Sequence, residues 1–354
     1  MSRELSTSSR KIPVVFCIDI EPDEFFVDRV NPKPWAGFEF SHDYLQKART
    51  RFEAVTGQAV RFNWFLRMDP QVAIAYGDAA WAAQRYAEFF QEYRGAGDEI
   101  GLHVHTYRWL DDDNAWLDDC GNPDWITQCL RSSNDSFKAA FGTQARSIRF
   151  GNYWLSTAAV NEAEALGFEF DLTIEPGLNA SKWQGGKKPR QTAAVPDYYR
   201  VPRFPYVPSR SNFKKVGDQG DDRSIVMMPL TSAYLAFGWG LRGIKRRLGR
   251  LKKNGLSGHR QHQPLSMWKT WAEPDSFADM LDRALSLQSR PYLAFAVRSD
   301  MHRDYRAYDR CLEALLNHPA ASRFVFCAPH DAMQYLRRQA LPADSEGSRR
   351  DRRV

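Results

Sequence analysis

Near the start of the chain, Val14-Val15-Phe16-Cys17-Ile18 gives way to three acids, Asp19, Glu21 and Asp23. Carboxylates this close repel one another unless a cation or a shared proton lies between them. Side chains alternate along a strand, so Asp19 and Glu21 point to the same side. A second group lies in Asp98-Glu-Ile-Gly-Leu-His-Val-His-Thr-Tyr107, where His103 and His105 stand two apart and share a face in the same way. Imidazole is the commonest ligand of catalytic divalent metals, and three protein ligands that leave one position open are the usual number. Glu21, His103 and His105 would supply those three. Plainer readings stand beside this one: acids at a strand tip are common in polar loops, and paired histidines can be hydrogen-bonded structural residues.

Positioning such groups takes strands that end where the chemistry begins. Apolar stretches at 14–18, 60–66, 99–104, 147–150, 168–173, 225–228, 292–297 and 324–327 read as strands. Helical patterns lie between them, at about 42–55, 78–94, 125–141, 277–287 and 305–316. Ser156 reads as the N-cap of a further helix that runs to Leu166 and is stopped by Gly167. A continuous apolar run that ends in charge suits an inner parallel strand, and strand–helix alternation over this length predicts an α/β barrel.

Residues 177–220 are rich in Gly, Pro, Lys and Ser and read as long surface loops. A basic insertion at 233–264 contains 241–253, where Leu241, Ile244, Leu248 and Leu251 fall at helical spacing among basic residues. Such a helix either packs one stripe on the body or lies on an anionic membrane surface. The expected organisation is a flexible N-terminus (1–11), a barrel over 12–340 and a disordered basic tail at 341–354.

The 354 residues can build one large domain, and contents of 43% hydrophobic and 26% charged residues are those of an ordinary globular chain. The net charge of +6 comes largely from the insertion and the tail, with no nucleic-acid motif beside them, so a nucleic-acid partner is not expected. Five cysteines at irregular spacing do not form a disulfide framework. With no apolar leader and no run of membrane-spanning length, the expected location is cytoplasmic.

The segment Cys17-Ile-Asp19-Ile-Glu21-Pro-Asp23, followed by Asp98-Glu-Ile-Gly-Leu-His103, resembles the first two motifs of the polysaccharide deacetylase family (NodB-homology fold). Arg149-Phe-Gly-Asn-Tyr-Trp154 is similar to the third motif, and Asp171-Leu-Thr-Ile-Glu-Pro-Gly177 to the fourth. The motifs keep their order from Val14 to about Ala332. The Asp-x-Glu and His-x-His versions resemble a branch associated with surface-polysaccharide and lipopolysaccharide biosynthesis.

This resemblance implies a distorted (β/α) barrel of about seven strands, here with a long basic insertion. It also implies a divalent metal, often zinc, and removal of acetyl groups from a carbohydrate substrate, which for this chain would be nucleotide- or lipid-linked. Asp19 would be the general base, Glu21 a metal ligand, and Arg149 the group that orients Asp19. Tryptophans 35, 64, 109, 154 and 183 are candidates for stacking on sugar rings or for core positions.

Three departures matter. Tyr107 stands where the family has its second metal-binding histidine, leaving His105 to replace it. Glu21 replaces an aspartate. Arg298 ends the last barrel strand, where the family has a histidine acid. Arginine cannot donate a proton at neutral pH, although it can stabilise an anion or a substrate phosphate. His302 and His330 are the other candidates for the acid. The expected function is therefore a metal-dependent deacetylase, or alternatively a glycan-binding pseudoenzyme that kept the barrel and lost the acid.

Overall fold

The computed structural model describes residues 10–218, 222–234, 262–264, 275–286, 291–299 and 305–340. The basic helix expected at 241–253, the tail at 341–354, His302 and most of the N-terminal segment lie outside the described residues.

All nine residues of β1 (Ile12–Ile20) are buried, as the apolar run requires of a strand covered on both faces. Next come α1 (Ala36–Thr56), β2 (Asn63–Arg67), α2 (Pro70–Tyr76), α3 (Trp81–Arg85), α4 (Ala87–Gly95) and β3 (Glu99–Val104). A short hairpin, β4 (Tyr107–Leu110) and β5 (Ala115–Asp118), precedes α5 (Pro123–Phe141), β6 (Ser147–Phe150), α6 (Thr157–Ala165) and β7 (Phe170–Asp171). The later elements are β8 (Arg190–Gln191), β9 (Val226–Met227), β10 (Ser232–Tyr234), β11 (His262–Pro264) and α7 (Asp275–Ser286). They are followed by β12 (Leu293–Arg298), α8 (Tyr305–Leu316), β13 (Phe324–Phe326) and α9 (Pro329–Ala340).

Seven parallel strands in the order β12-β1-β2-β3-β6-β7-β9 curl into a half-barrel flanked by helices, the expected distorted (β/α) barrel. β13 joins only the lower end of β1, at Ile12–Val14, wedged beside the start of β2, where the Arg61 N–H donates to the Phe326 carbonyl at 3.3 Å. The edges approach each other beyond β9: Met228 N donates to Asp171 O at 2.8 Å, and three residues later Thr231 N donates to Ala294 O at 2.7 Å.

Alternation sorts each strand into two faces. Val14, Phe16 and Ile18 pack outward with the helices, whereas Val15 and Cys17 join Phe65, Phe170, Leu172, Ala294 and Ala296 inside the barrel. Continuing the inward series to the C-terminal strand ends brings in Asp19 after Cys17, Arg67 after Phe65 and Arg298 after Ala296. The apolar interior thus ends in a charged layer.

Several elements depart from the expected bounds. The helix expected over 78–94 is two helices broken at Tyr86, whose hydroxyl accepts the Trp35 N–H at 3.1 Å and donates to Glu39 at 3.2 Å. α1 begins six residues before the expected His42, its first turn held by Asp23, which accepts the Gly37 N–H at 3.0 Å. The third acid of the opening run is therefore tied to a helix start. Among the described residues, no helix is long and apolar enough to cross a membrane.

Candidate metal centre and cavity

Asp19 and Arg298 are register partners on β1 and β12, and Arg67, His103 and Arg149 form one row across β2, β3 and β6. With Glu21 just past the end of β1 and His105 just past β3, this places Asp19, Glu21, His103, His105, Arg149 and Arg298 at one end of the barrel. Glu21, His103 and His105 each offer a ligand atom, and these atoms lie within 4.8 Å of one another. All three residues are buried.

The state of each ligand follows from its neighbours. His103 Nδ1 lies 3.0 Å from the Arg149 carbonyl, which only accepts, so Nδ1 carries the proton and Nε2 presents its lone pair to the site. His105 Nε2 lies 3.1 Å from His103 Nε2 and 3.3 Å from Glu21 Oε2. Burial lowers the pKa of both histidines, that of His105 to about 3 with Arg67 adding to the effect, so both rings are neutral at pH 7. Burial alone would raise the Glu21 pKa, but Arg298 and then His105 hold it well below the usual carboxylate range. One carboxylate and two neutral imidazoles form a competent donor set for zinc. Glu21 Oε2, buried and without a hydrogen bond among the described residues, is the atom a cation would satisfy. The residues present fit a divalent metal.

The three candidate ligands are held from behind. Ser299 grips the Glu21 backbone from both sides, accepting its N–H and donating to its carbonyl, each at 3.2 Å, while Ser41 Oγ donates to Ser299 O at 2.7 Å. The His105 N–H donates to Asp69 Oδ2 at 3.0 Å, and Asp69 is bound by Arg67 through two contacts of 2.8 and 2.9 Å. Asp69 also caps α2, accepting the Gln71 N–H at 3.1 Å. The His105 ring packs against Gly151, where any Cβ would collide with it, so no larger residue fits there without moving the ring. The next two residues, Asn152 and Tyr153, both take positive φ, 56° and 62°, a strained conformation for side-chain-bearing residues.

Asp19 is not among the three grouped candidate ligands, and its Oδ1 lies 3.9 Å from His103 Nδ1. Arg149 holds it with Nε to Oδ1 at 2.7 Å and Nη2 to Oδ2 at 3.1 Å, and also donates through Nη1 to the Leu172 carbonyl. Arg298 Nε lies 3.0 Å from Glu21 Oε1. Tyr107 is buried, its ring 4.8 Å from that of His105, and its hydroxyl accepts an Asn152 N–H at 2.8 Å. It supports His105 and is not among the three ligands. His330 is no candidate acid: it lies at the opposite end of the sheet, at the start of α9, where its Nδ1 accepts from Arg146 at 2.9 Å.

Sequence reasoning missed Arg67, Asp69 and Ser299. The available signal was Arg67-Met-Asp69-Pro70, charges at the tip of an apolar strand followed by an Asp-Pro helix start. Of the tryptophans, Trp35, Trp64 and Trp154 are core residues and Trp109 lies beside Trp116 away from the site, while Trp183 lines the cavity above it. That cavity, about 460 Å³, has Asp19, Glu21, His103 and His105 in its lining together with Glu175, Lys188 and Arg298. The loops expected over 177–220 therefore contribute Trp183 and Lys188 to the site.

No protein-family model matches the chain, and no curated protein matches it. Among solved structures, it is similar to a Pseudomonas aeruginosa PAO1 protein assigned as a polysaccharide deacetylase, at 13% identity and a TM-score of 0.50, covering 94% of this chain and 93% of that one. It is also similar to a Parabacteroides distasonis protein assigned as a glycoside hydrolase/deacetylase, at 12% identity and a TM-score of 0.52, covering 94% of this chain and 73% of that one. At these identities the likeness is one of fold.

Proposed function

We propose that this chain is a metal-dependent hydrolase that removes the acetyl group from an N-acetylated sugar. The observation that carries the reading is the convergence of the Glu21, His103 and His105 ligand atoms within 4.8 Å, in a cavity that also holds the Arg149-bound carboxylate of Asp19. Glu21, His103 and His105 would hold the ion, zinc being the metal this donor set suits. Such an ion supplies Lewis-acid polarisation of a carbonyl and a water of lowered pKa. Asp19, fixed in orientation by Arg149, takes the proton of the attacking water. Burial alone would lower the Arg149 pKa, but the Asp19 carboxylate beside it raises it, so Arg149 stays charged. Arg298 orients Glu21 through Oε1 and leaves Oε2 to the metal.

The proton for the departing amine comes from another group, because Arg298 cannot release one. Among the described residues lining the cavity, Tyr153, Tyr308 and Lys188 carry transferable protons.

We assign the reaction to surface-polysaccharide or lipopolysaccharide synthesis in the cytoplasm, on a nucleotide- or lipid-linked sugar. In the lipid-linked case the basic segment 241–253 would meet an anionic membrane, and vesicle sedimentation with and without that segment tests this.

The deciding experiment is acetate release from a panel of N-acetyl sugars by zinc-loaded protein, alongside metal content by elemental mass spectrometry. Asp19→Asn should lower kcat by about 10²–10⁴ while leaving the metal bound. The contact between Arg298 and Glu21, where an acid would be needed, favours a second reading, a glycan-binding barrel without turnover. Bound metal and bound sugar with no acetate from any substrate would select it.

A further inference from the structure

The loop that brings Trp183 to the cavity is closed at its base by one side chain. The Gln191 N–H donates to the Trp183 carbonyl at 3.0 Å, and the Trp183 N–H donates to Gln191 Oε1 at 3.0 Å. Gly185 and Gly186 reverse the chain between them, with φ of 112° and 89°. Lys188 returns to place Nζ 3.6 Å from the indole centroid, backing one face of a ring that lines the cavity and is half-buried.

Gln191 is itself fixed from beneath. It is 1% exposed, pairs with Asp118 in the register of β5 and β8, and donates through Nε2 to Asp118 Oδ2 at 3.0 Å. The same Oδ2 accepts Asn152 Nδ2 at 2.8 Å, and Asp118 Oδ1 accepts the Thr106 hydroxyl at 2.6 Å. Asn152 opens the positive-φ turn that lines the cavity with Tyr153, and it also donates to Tyr107 beside His105. A carboxylate offers acceptors alone, so it turns the NH₂ ends of both amides toward itself and leaves Gln191 Oε1 to the Trp183 N–H. Asp118, also 1% exposed, thus joins the loop to the turn at the candidate metal centre without reaching the cavity.

We propose that Asp118 is a positioning residue for sugar binding. Through Gln191 it sets Trp183 at a fixed place relative to the Asn152–Tyr153 turn, and the indole is the wall against which the acetamido sugar packs. Indole suits that ligand because its apolar body takes the C–H face of a sugar ring. The inference rests on the hydrolase reading for the identity of the sugar.

The test is a double-mutant cycle on the zinc-loaded full chain, reading KM for acetate release and Kd by titration calorimetry over the panel of N-acetyl sugars. Gln191→Ala should raise KM and Kd about threefold to tenfold, the worth of one lost hydrogen bond, with the loss in KM rather than kcat. Trp183→Ala should raise both by about tenfold. In that background Gln191→Ala should add less than about twofold, because its effect passes through the ring. Asp118→Asn should keep KM near the wild-type value, since its Oδ1 can accept both amides while its Nδ2 donates to Thr106. Asp118→Ala, which has no acceptor there, should raise KM at least as much as Gln191→Ala. A wild-type KM and Kd in Gln191→Ala, an equal loss with and without Trp183, or equal losses in Asp118→Asn and Asp118→Ala overturns the proposal. Acetate release with KM indifferent to Gln191 and Trp183 removes this wall and keeps the hydrolase. The expected cycle in Kd with no acetate released does the reverse, and a chain that neither binds nor cleaves any sugar of the panel removes both.

Discussion

A buried carboxylate shows how far residue type alone carries meaning here. Asp171 ends β7 fully buried; Oδ1 accepts the Thr173 N–H at 2.8 Å, and Oδ2 has no hydrogen bond among the described residues. Burial raises its pKa to about 6, against the opposing pull of the Thr173 contacts and Arg149. A carboxyl whose folded pKa is raised stabilises fully below its unfolded pKa near 4, and that contribution is lost as pH rises through 6. Asp171→Asn should therefore gain on the wild type between pH 4 and pH 8, by at most about 3 kcal/mol. Urea unfolding at the two pH values checks this, and an unchanged gap would rule it out. Glu21, His103 and His105 were readable as candidate ligands from residue type and spacing, and Asp19 and Arg149 as candidate site residues from the motifs they resemble. The Arg149 pairing with Asp19 joins residues 130 positions apart, a distance no local pattern spans.

At the scale of elements, the strand tips do the positioning. Arg67 and Asp69 leave β2 as a buried ion pair that caps α2 and fixes the His105 backbone at once. Asp69→Ala would strand a buried guanidinium and expose both other contacts, so it should cost about 3–5 kcal/mol in denaturant unfolding. A loss below about 1 kcal/mol would show that Arg67 finds another partner. Strands were legible because apolar runs ending in charge are hard to place anywhere but in a covered parallel sheet. The hairpin of β4 and β5 was not, since its charged and aromatic residues carry no clean alternation. Nor was the break at Tyr86, because the contacts that pull it out of the helical path come from Trp35 and Glu39.

For the whole molecule, a metal held by Glu21, His103 and His105 would join the ends of β1 and β3, so its binding should be coupled to global stability. Zinc at a hundred times its Kd should add about 2.7 kcal/mol and raise Tm, and His103→Ala should abolish the rise. An identical Tm with and without zinc would count against the metal centre. The sequence by itself determined the strand–helix alternation, the face shared by Asp19 and Glu21, and the face shared by His103 and His105, because these follow from side-chain periodicity along single strands. Tertiary structure alone decided that Arg298 grips Glu21, that Ser299 clamps the Glu21 backbone, and that Lys188 of a distant loop meets Phe25 over the same cavity. Those contacts depend on how far the sheet curls and how its strands are staggered, and closure of a barrel is a property of all its strands together.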